Sequence, residues 1–423
     1  MPKLVLIFLA FLTLNTLISI AHDHKCGTMS NLQRHIEKDP TILQNIERFK
    51  VMLHKGVTTA SPSAAAGEII TIPVVVHVIW RRMVENISDA QIRSQIDILN
   101  QDYRLRNSDS LMKTHPFWPF IADAKIEFCL ASRDPLGNAT TGITRTRTDS
   151  TSFEGVGSEK HSATGGIDNW NPSQYLNLWV CNLGGSDDNT LGYAAFPFEM
   201  HSAPEDDGVV IDYESFGNIG TVQEPNNLGR TATHEVGHWL GLYHIWGDNE
   251  PLCGDDEVLD TPRADEANFH CPTFPHDAND SCDTDNNGEM YMNYMDYVDD
   301  ACMKMFTKGQ AFRMQSTLKS ERSSLLTSLG CKSTSDVAED VTINDINIYP
   351  NPTTGAFTVN FRNTSPGHTS LSLHTMLGEA IVTLNSVVDT TAQMYIPAAG
   401  SGVYYLKIQS GHSTVTQRVI MTK

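Results

Sequence analysis

The sequence predicts an α/β unit, preceded by a polar helical segment and followed by an all-β sandwich. Three observations carry this. Strand patterns alternate with helical ones between about residues 70 and 245; residues 31–55 place apolar side chains at three- and four-residue spacing; and from about Val341 short strand patterns alternate with turns, with no convincing helix. At 423 residues the chain exceeds one typical domain, and 40% hydrophobic content suffices for sizeable cores.

The elements follow in order. Residues 1–21, "MPKLVLIFLAFLTLNTLISIA", place Lys3 before an apolar run that ends near Ala21, the pattern of a secretory signal peptide. No later stretch is long and apolar enough to span a bilayer. Residues 22–67 form the polar helical segment and end in "GVTTASPSAAAG", a small-residue linker of the kind proteases cut. "EIITIPVVVHVIW" reads as a buried strand. "SDAQIRSQIDILNQDYRL" reads as an amphipathic helix with Ser88 as N-cap and Gln91 three residues on. Strands recur at "AKIEFCLA", "YLNLWVCN" and "DGVVIDY". A polar linker, "KSTSDVAED", follows Cys331. The expected divisions are therefore 1–21, 22–67, 68–333 and 334–423.

Fifty acids against 30 bases give a formal charge of −20, which argues against nucleic-acid or anionic-membrane partners. Between Asp248 and Asp300 sixteen Asp and Glu face one base, Arg263. In an exported protein such oxygen-rich loops suit calcium. "DTDNNGEMYMNY" fits an EF-hand loosely at first but ends in Tyr294, where a bidentate Glu is needed, so it reads as an acidic turn. Export also permits disulfides among the 8 cysteines. For Cys253, Cys271, Cys282 and Cys302 the sequence leaves three pairings open.

The chemistry concentrates in "HEVGHWLGLYH", residues 234–244. On a helix, His234 and His238 stand one turn apart and can bind one zinc ion. Gly241 breaks the helix and swings His244 back as third ligand. Three imidazoles leave one tetrahedral position for water, as in catalytic rather than structural zinc sites. Glu235 lies about 100° round from His234, placed to take a proton from the attacking water and pass it to the leaving amine. The competing reading is a surface binding protein with a structural or vestigial zinc. A structural site wants a fourth protein ligand and a vestigial one loses Glu235; this segment fits neither.

Together with "NYMDY" at 293–297, and with "PVVVHVI", "LNLWVCNL", "LGYAAFP", "GVVIDY", "DTP" and "CMKMFTKGQAFRM", this segment resembles the pappalysin family of metzincins, especially its ulilysin-like bacterial branch, over most of residues 70–330. The resemblance implies an α/β (α+β) metzincin catalytic domain with upper and lower subdomains around a substrate cleft. It implies a secreted zinc endopeptidase acting on protein or peptide substrates, with one catalytic zinc ion. Met295 becomes the Met-turn floor beneath the metal. Tyr297 becomes a hydrogen-bond donor to the developing oxyanion. The pairings Cys253–Cys282 and Cys271–Cys302 are favoured. Relatives bind calcium near this segment, and Asp255, Asp256, Glu257, Asp260 and Thr261 are the oxygen donors in question. Residues 22–67 become the prosegment of a latent zymogen. In its "HDHKCGT", Cys26 is placed to occupy the open zinc position. Asp23 or Asp39 through a carboxylate, or a disulfide from Cys26 to Cys129, Cys181 or Cys331, are the alternatives.

The tail, "INIYPNPTTGAFTVNF", "LSLHTMLGEAIVT" and "SGVYYLKIQSGHSTVTQRVIMTK", resembles the C-terminal sorting domains of type IX secretion. That implies a seven-stranded sandwich, the outer-membrane translocon as partner, and passage through the periplasm to the cell surface or medium.

Overall fold

A computed structural model of the chain describes residues 25–59, 68–154, 157–184, 190–248, 253–276, 282, 287–333, 344–362, 369–387, 391–396, 400–410 and 413–422. The expected signal peptide, Asp23 and most of both linkers lie outside these residues. The chain divides into two compact units, Met1–Leu136 with Thr140–Cys331, and Lys332–Lys423 with Gly137–Ala139.

In the first unit, helices α1 (Thr28–Lys38) and α2 (Ile42–Thr59) belong to the same body as the sheet that follows. Leu32, Ile42, Phe49 and Leu53 form an apolar cluster with Phe196 and Phe198, so the N-terminal segment is held by burial of its own apolar stripe. The helix α2 runs on through Gly56 to Thr59, residues that composition alone assigns to the linker.

The sheet comprises β1 (Ile70–Trp80), β2 (Ile126–Leu130), β3 (Ile143–Arg147), β4 (Leu176–Cys181), β5 (Gly192–Ala194) and β6 (Val209–Asp212). Its order is β2-β1-β4-β6-β5, with β3 also paired to β1. All pairings are parallel except β5 with β6. The strand β1 is buried from Ile72 to Ile79, the continuous apolar run expected of a strand covered on both faces. Helix α3 (Asp89–Tyr103) starts at Ser88, whose hydroxyl accepts from Gln91 N at 3.2 Å. The Gln91 side chain donates to Tyr213 O and Phe216 O, holding a loop instead of returning to the cap.

Helix α4 (Arg230–Trp239) rests on α3: the Tyr103 hydroxyl donates to Thr233 O at 2.9 Å, and the Thr233 hydroxyl to Asp102 Oδ2 at 2.7 Å. Helix α5 (Lys308–Lys319) begins with a capping box between Thr307 and Gln310. From it, Arg313 Nε donates to Gly241 O at 2.6 Å and fixes the turn after α4. Disulfides join Cys129 to Cys331, Cys253 to Cys282 and Cys271 to Cys302. Cys26 and Cys181 are free and buried, so the structure excludes a disulfide to Cys26.

The second unit contains β7 (Asn344–Tyr349), β8 (Ala356–Arg362), β9 (Thr369–His374), β10 (Ala380–Val387), β11 (Thr391–Tyr395), β12 (Gly402–Ser410) and β13 (Ser413–Met421). They form two antiparallel sheets, β10-β9-β12-β13 and β11-β8-β7. Phe357, Val359, Leu371, Leu373, Leu406 and Ile408 are among the buried residues of their common core.

Candidate active site

Helix α4 presents His234, Glu235 and His238 from a fully buried position. Asp300 Oδ2 accepts from Leu228 N at 2.8 Å and Arg230 N at 3.2 Å, placing a carboxylate at the positive end of the helix. The chain leaves α4 through Gly241 at φ +91, where a Cβ would meet Phe49 Cζ at 2.7 Å. Gly237 is required for a different reason. A Cβ there would lie 2.5 Å from Met295 Sδ, because the fully buried Met295 packs directly beneath the histidine-bearing helix.

Each ring nitrogen Nδ1 of the three histidines faces an oxygen: Tyr294 O at 2.8 Å for His234, Leu242 O at 2.8 Å for His238 and Asp248 Oδ1 at 2.5 Å for His244. These partners assign the proton to Nδ1 and leave every Nε2 with a bare lone pair. Yet His238 Nε2 lies 3.1 Å from both His234 Nε2 and His244 Nε2. Three lone pairs at such separation repel unless a cation sits among them, and the outer oxygens are the usual orienting partners of metal-bound imidazoles. Burial, then the neighbouring His244, pushes His234 down to about 3, and the same causes hold His238 well below its ordinary value. Neutral imidazoles are the form that binds metal. Cys26 Sγ joins them, with all four ligand atoms within 4.8 Å of one another. Three nitrogens and a sulfur suit zinc.

Glu235 is buried beside this cluster, with Oε2 accepting from the Thr28 hydroxyl at 2.8 Å and Oε1 without a hydrogen-bond partner. Burial pushes its carboxyl up to about 8, against the lowering effect of hydrogen bonds from Cys26 and Thr28. The Tyr297 hydroxyl donates to Cys26 O at 3.4 Å, and its ring stands 4.9 Å from that of His244.

The N-terminal segment therefore runs through the site. Leu191 N donates to Lys25 O at 2.8 Å, Gly27 N to Gly192 O at 2.9 Å, and Ala194 N to Thr28 Oγ1 at 2.8 Å, so residues 25–28 lie along the free edge of β5. Lys25 Nζ pairs with Asp299 at 3.2 Å. A small cavity remains against His234 and Glu235, walled by Leu191, Asn226, Thr231, Val298, Asp300 and Met303.

Asp39 lies elsewhere. It follows α1 and accepts from Thr41, so a carboxylate block by Asp39 is excluded. The five oxygen donors considered for calcium are engaged with protein partners, Thr261 with Asp256 among them. Asp255 pairs with Arg263 at 2.9 Å and Glu257 with Lys50 at 2.7 Å, while Asp260 accepts from the Thr307 hydroxyl and Gly309 N. Asp256 accepts from Val258 N and the Thr261 hydroxyl. Among the described residues, the one group of three or more His, Cys, Asp or Glu side chains placed to hold a metal ion is the one around Cys26. Sequence reasoning did not single out Thr28, Asp248 or β5. Asp248 carried a readable signal, a carboxylate four residues after His244; Thr28 and the three-residue strand carried none.

Comparison with known proteins places this geometry. A family model described as pregnancy-associated plasma protein-A matches residues 162–319, and one described as the secretion system C-terminal sorting domain matches residues 347–422. An extracellular metalloprotease of Arthroderma gypseum is 30% identical over 250 residues, 58% of this chain and 71% of the relative. One from Arthroderma benhamiae is 28% identical over 274 residues, 63% and 86% of the two chains. A promirolysin mutant of Tannerella forsythia shares 44% identity at a TM-score of 0.65, over 71% of this chain and 97% of that one. Mature mirolysin of the same organism, in complex with a cleaved peptide, shares 50% identity at a TM-score of 0.59, over 62% and 97%.

Proposed function

Because the chain belongs to the pappalysin family of metzincin zinc metallopeptidases and carries a type IX sorting domain, we propose that it is a secreted endopeptidase made as a latent zymogen, with Glu235 as general base and acid. The observation that carries this reading is the convergence of three Nε2 lone pairs beside an otherwise unpaired buried carboxylate oxygen. His234, His238 and His244 would hold one zinc ion, which when bound supplies a Lewis acid that activates water and polarises the scissile carbonyl. Glu235 takes the proton of the attacking water and returns it to the leaving amine. The Tyr297 hydroxyl donates to the oxygen on which negative charge develops. A substrate backbone would pair with the same edge of β5 that residues 25–28 occupy.

Residues 22–67 act as the prosegment, 68–333 as the catalytic domain and 334–423 as linker and sorting domain engaging the type IX machinery, after export on the signal peptide 1–21. In the latent form one short segment engages three catalytic groups: Cys26 Sγ the ligand cluster, Thr28 Oγ1 Glu235, and Cys26 O Tyr297. Burial, then Glu235, pushes the free Cys26 thiol well up, so its thiolate is a form that a bound cation has to stabilise. With Cys26 the donor set has the fourth protein ligand of a closed site; its departure opens the position. A structural calcium among Asp255, Asp256, Glu257, Asp260 and Thr261 rests on one feature, Asp256 Oδ2, which is buried without a hydrogen-bond partner.

Glu235→Ala in the processed protein is the direct test. Peptide cleavage falls by about 10²–10⁴-fold, the usual loss for a proton-transfer group, while metal analysis still finds one zinc per chain. Undiminished cleavage by this variant rejects the assignment.

A further inference from the structure

Beyond the catalytic groups, α1 sets Arg34 and His35 over an acidic recess of the catalytic unit. His35 is buried, with Nδ1 2.6 Å from Glu199 Oε1 and Nε2 3.4 Å from Asp206 Oδ2. Arg34 feels the charges of Glu159, Asp206 and Glu199. Glu159 is fully buried, and neither of its carboxylate oxygens has a hydrogen-bond partner on another residue. The fixed counter-charge nearby is Lys160, whose ammonium donates to Asp206 O at 2.6 Å and lies over the Trp179 and Tyr193 rings. His161 pairs with the other oxygen of Asp206 at 2.9 Å. When the prosegment leaves, Arg34 and His35 leave with it. Three carboxylates then face one ammonium and His161, and Glu199 Oε1 and Asp206 Oδ2 lose their partners. Stranding buried carboxylates is costly, and a guanidinium or ammonium restores the lost hydrogen bonds.

We propose that the recess of Glu159, Glu199 and Asp206 is a substrate subsite for a lysine or arginine side chain, filled in the latent form by Arg34 and His35. Its position follows from the chain path. Thr28 lies at β5 beside Glu235, and His35 is seven residues further along α1, about 10 Å at 1.5 Å per residue. An extended substrate advances about 3.3 Å per residue, which puts the preferred basic residue about three or four positions from the scissile bond, on the side facing Ala194.

The inference rests on the site being that of a peptidase, and the test separates the two. Peptides paired as arginine against norleucine at successive positions outward from the cleavage point are given to the processed chain. The arginine peptide at the stated position has kcat/KM about tenfold higher. That ratio shrinks as sodium chloride screens the recess, and it moves toward one in Asp206→Asn and in Glu199→Gln. The same pairs are titrated without turnover into processed Glu235→Ala, where the arginine peptide binds about tenfold more tightly. Should wild type cleave nothing, the peptidase reading fails and the titration alone decides the recess. Ratios near one at every position on that side, or a ratio insensitive to salt and to both substitutions, overturn the subsite.

Discussion

Tyr297 illustrates how much one side chain is asked to do. Its ring packs against His244 and Trp246 at 4.9 and 4.7 Å, fixing the phenol where the Cys26 carbonyl now accepts its hydrogen bond. If that carbonyl marks where a substrate oxygen sits, Tyr297→Phe removes one donor from the transition state. We expect kcat to fall about 10²-fold with KM little changed; a change confined to KM would make the residue a binding group only. Gly237 is the opposite case, a position defined by what is absent. Any Cβ there meets Met295 Sδ at 2.5 Å. Gly237→Ala should destabilise the catalytic unit by about 1–3 kcal/mol, the usual range for overpacking, seen as a lowered thermal midpoint. An unchanged midpoint would mean that the methionine floor yields freely.

At the scale of elements, the prosegment is held by a polar clasp as well as by burial of Leu32 and Phe49. Burial disfavours His35 as a cation, but its hydrogen bonds to Asp206 and Glu199 outweigh this and raise its pKa above 6.5. A raised value in the docked state means that the clasp is at full strength below the free value and weakens as pH climbs through the docked one. Once the chain is cut between α2 and β1, the prosegment should therefore dissociate more readily at pH 8 than at pH 6. His35→Gln should flatten that difference, which separates it from any pH dependence of Cys26. A wild-type prosegment released more readily at pH 6 would refute the clasp. Arg34, Glu159, Lys160 and His161 share this neighbourhood, so the slope belongs to the group as a whole.

The elements also show what a sequence reveals. The parallel strands β1, β4 and β6 were legible because burial on both faces demands continuous apolar runs. The histidine tripod was legible because ligands one helical turn apart and a glycine stop leave a fixed spacing. Strand β5 was not, since three residues carry no period, and it is defined by its pairing with β6. Nor was Thr28, whose contact with Glu235 spans 207 positions and follows from the docking of residues 25–28 and α1 against β5. Gln91 misled for a related reason: a side chain suited to a capping box found two backbone carbonyls of a distant loop.

For the whole molecule, two separately cored units carry different tasks. The sandwich closes its own core around Phe357, Val359 and Leu406, and the family match to the sorting domain lies within it. The first unit holds every group assigned to catalysis, together with the segment assigned to latency.

The measurement that tests the central claim most directly is digestion of a proteome-derived peptide library by the full chain and by the chain cut between α2 and β1. Each is run with and without a zinc chelator, and product termini are read by mass spectrometry. Cleavage by the cut chain alone, abolished by the chelator and restored by zinc, is the result predicted. Equal cleavage by the uncut chain would contradict the latency assigned to Cys26 and Thr28, and chelator-resistant cleavage would contradict the zinc mechanism itself.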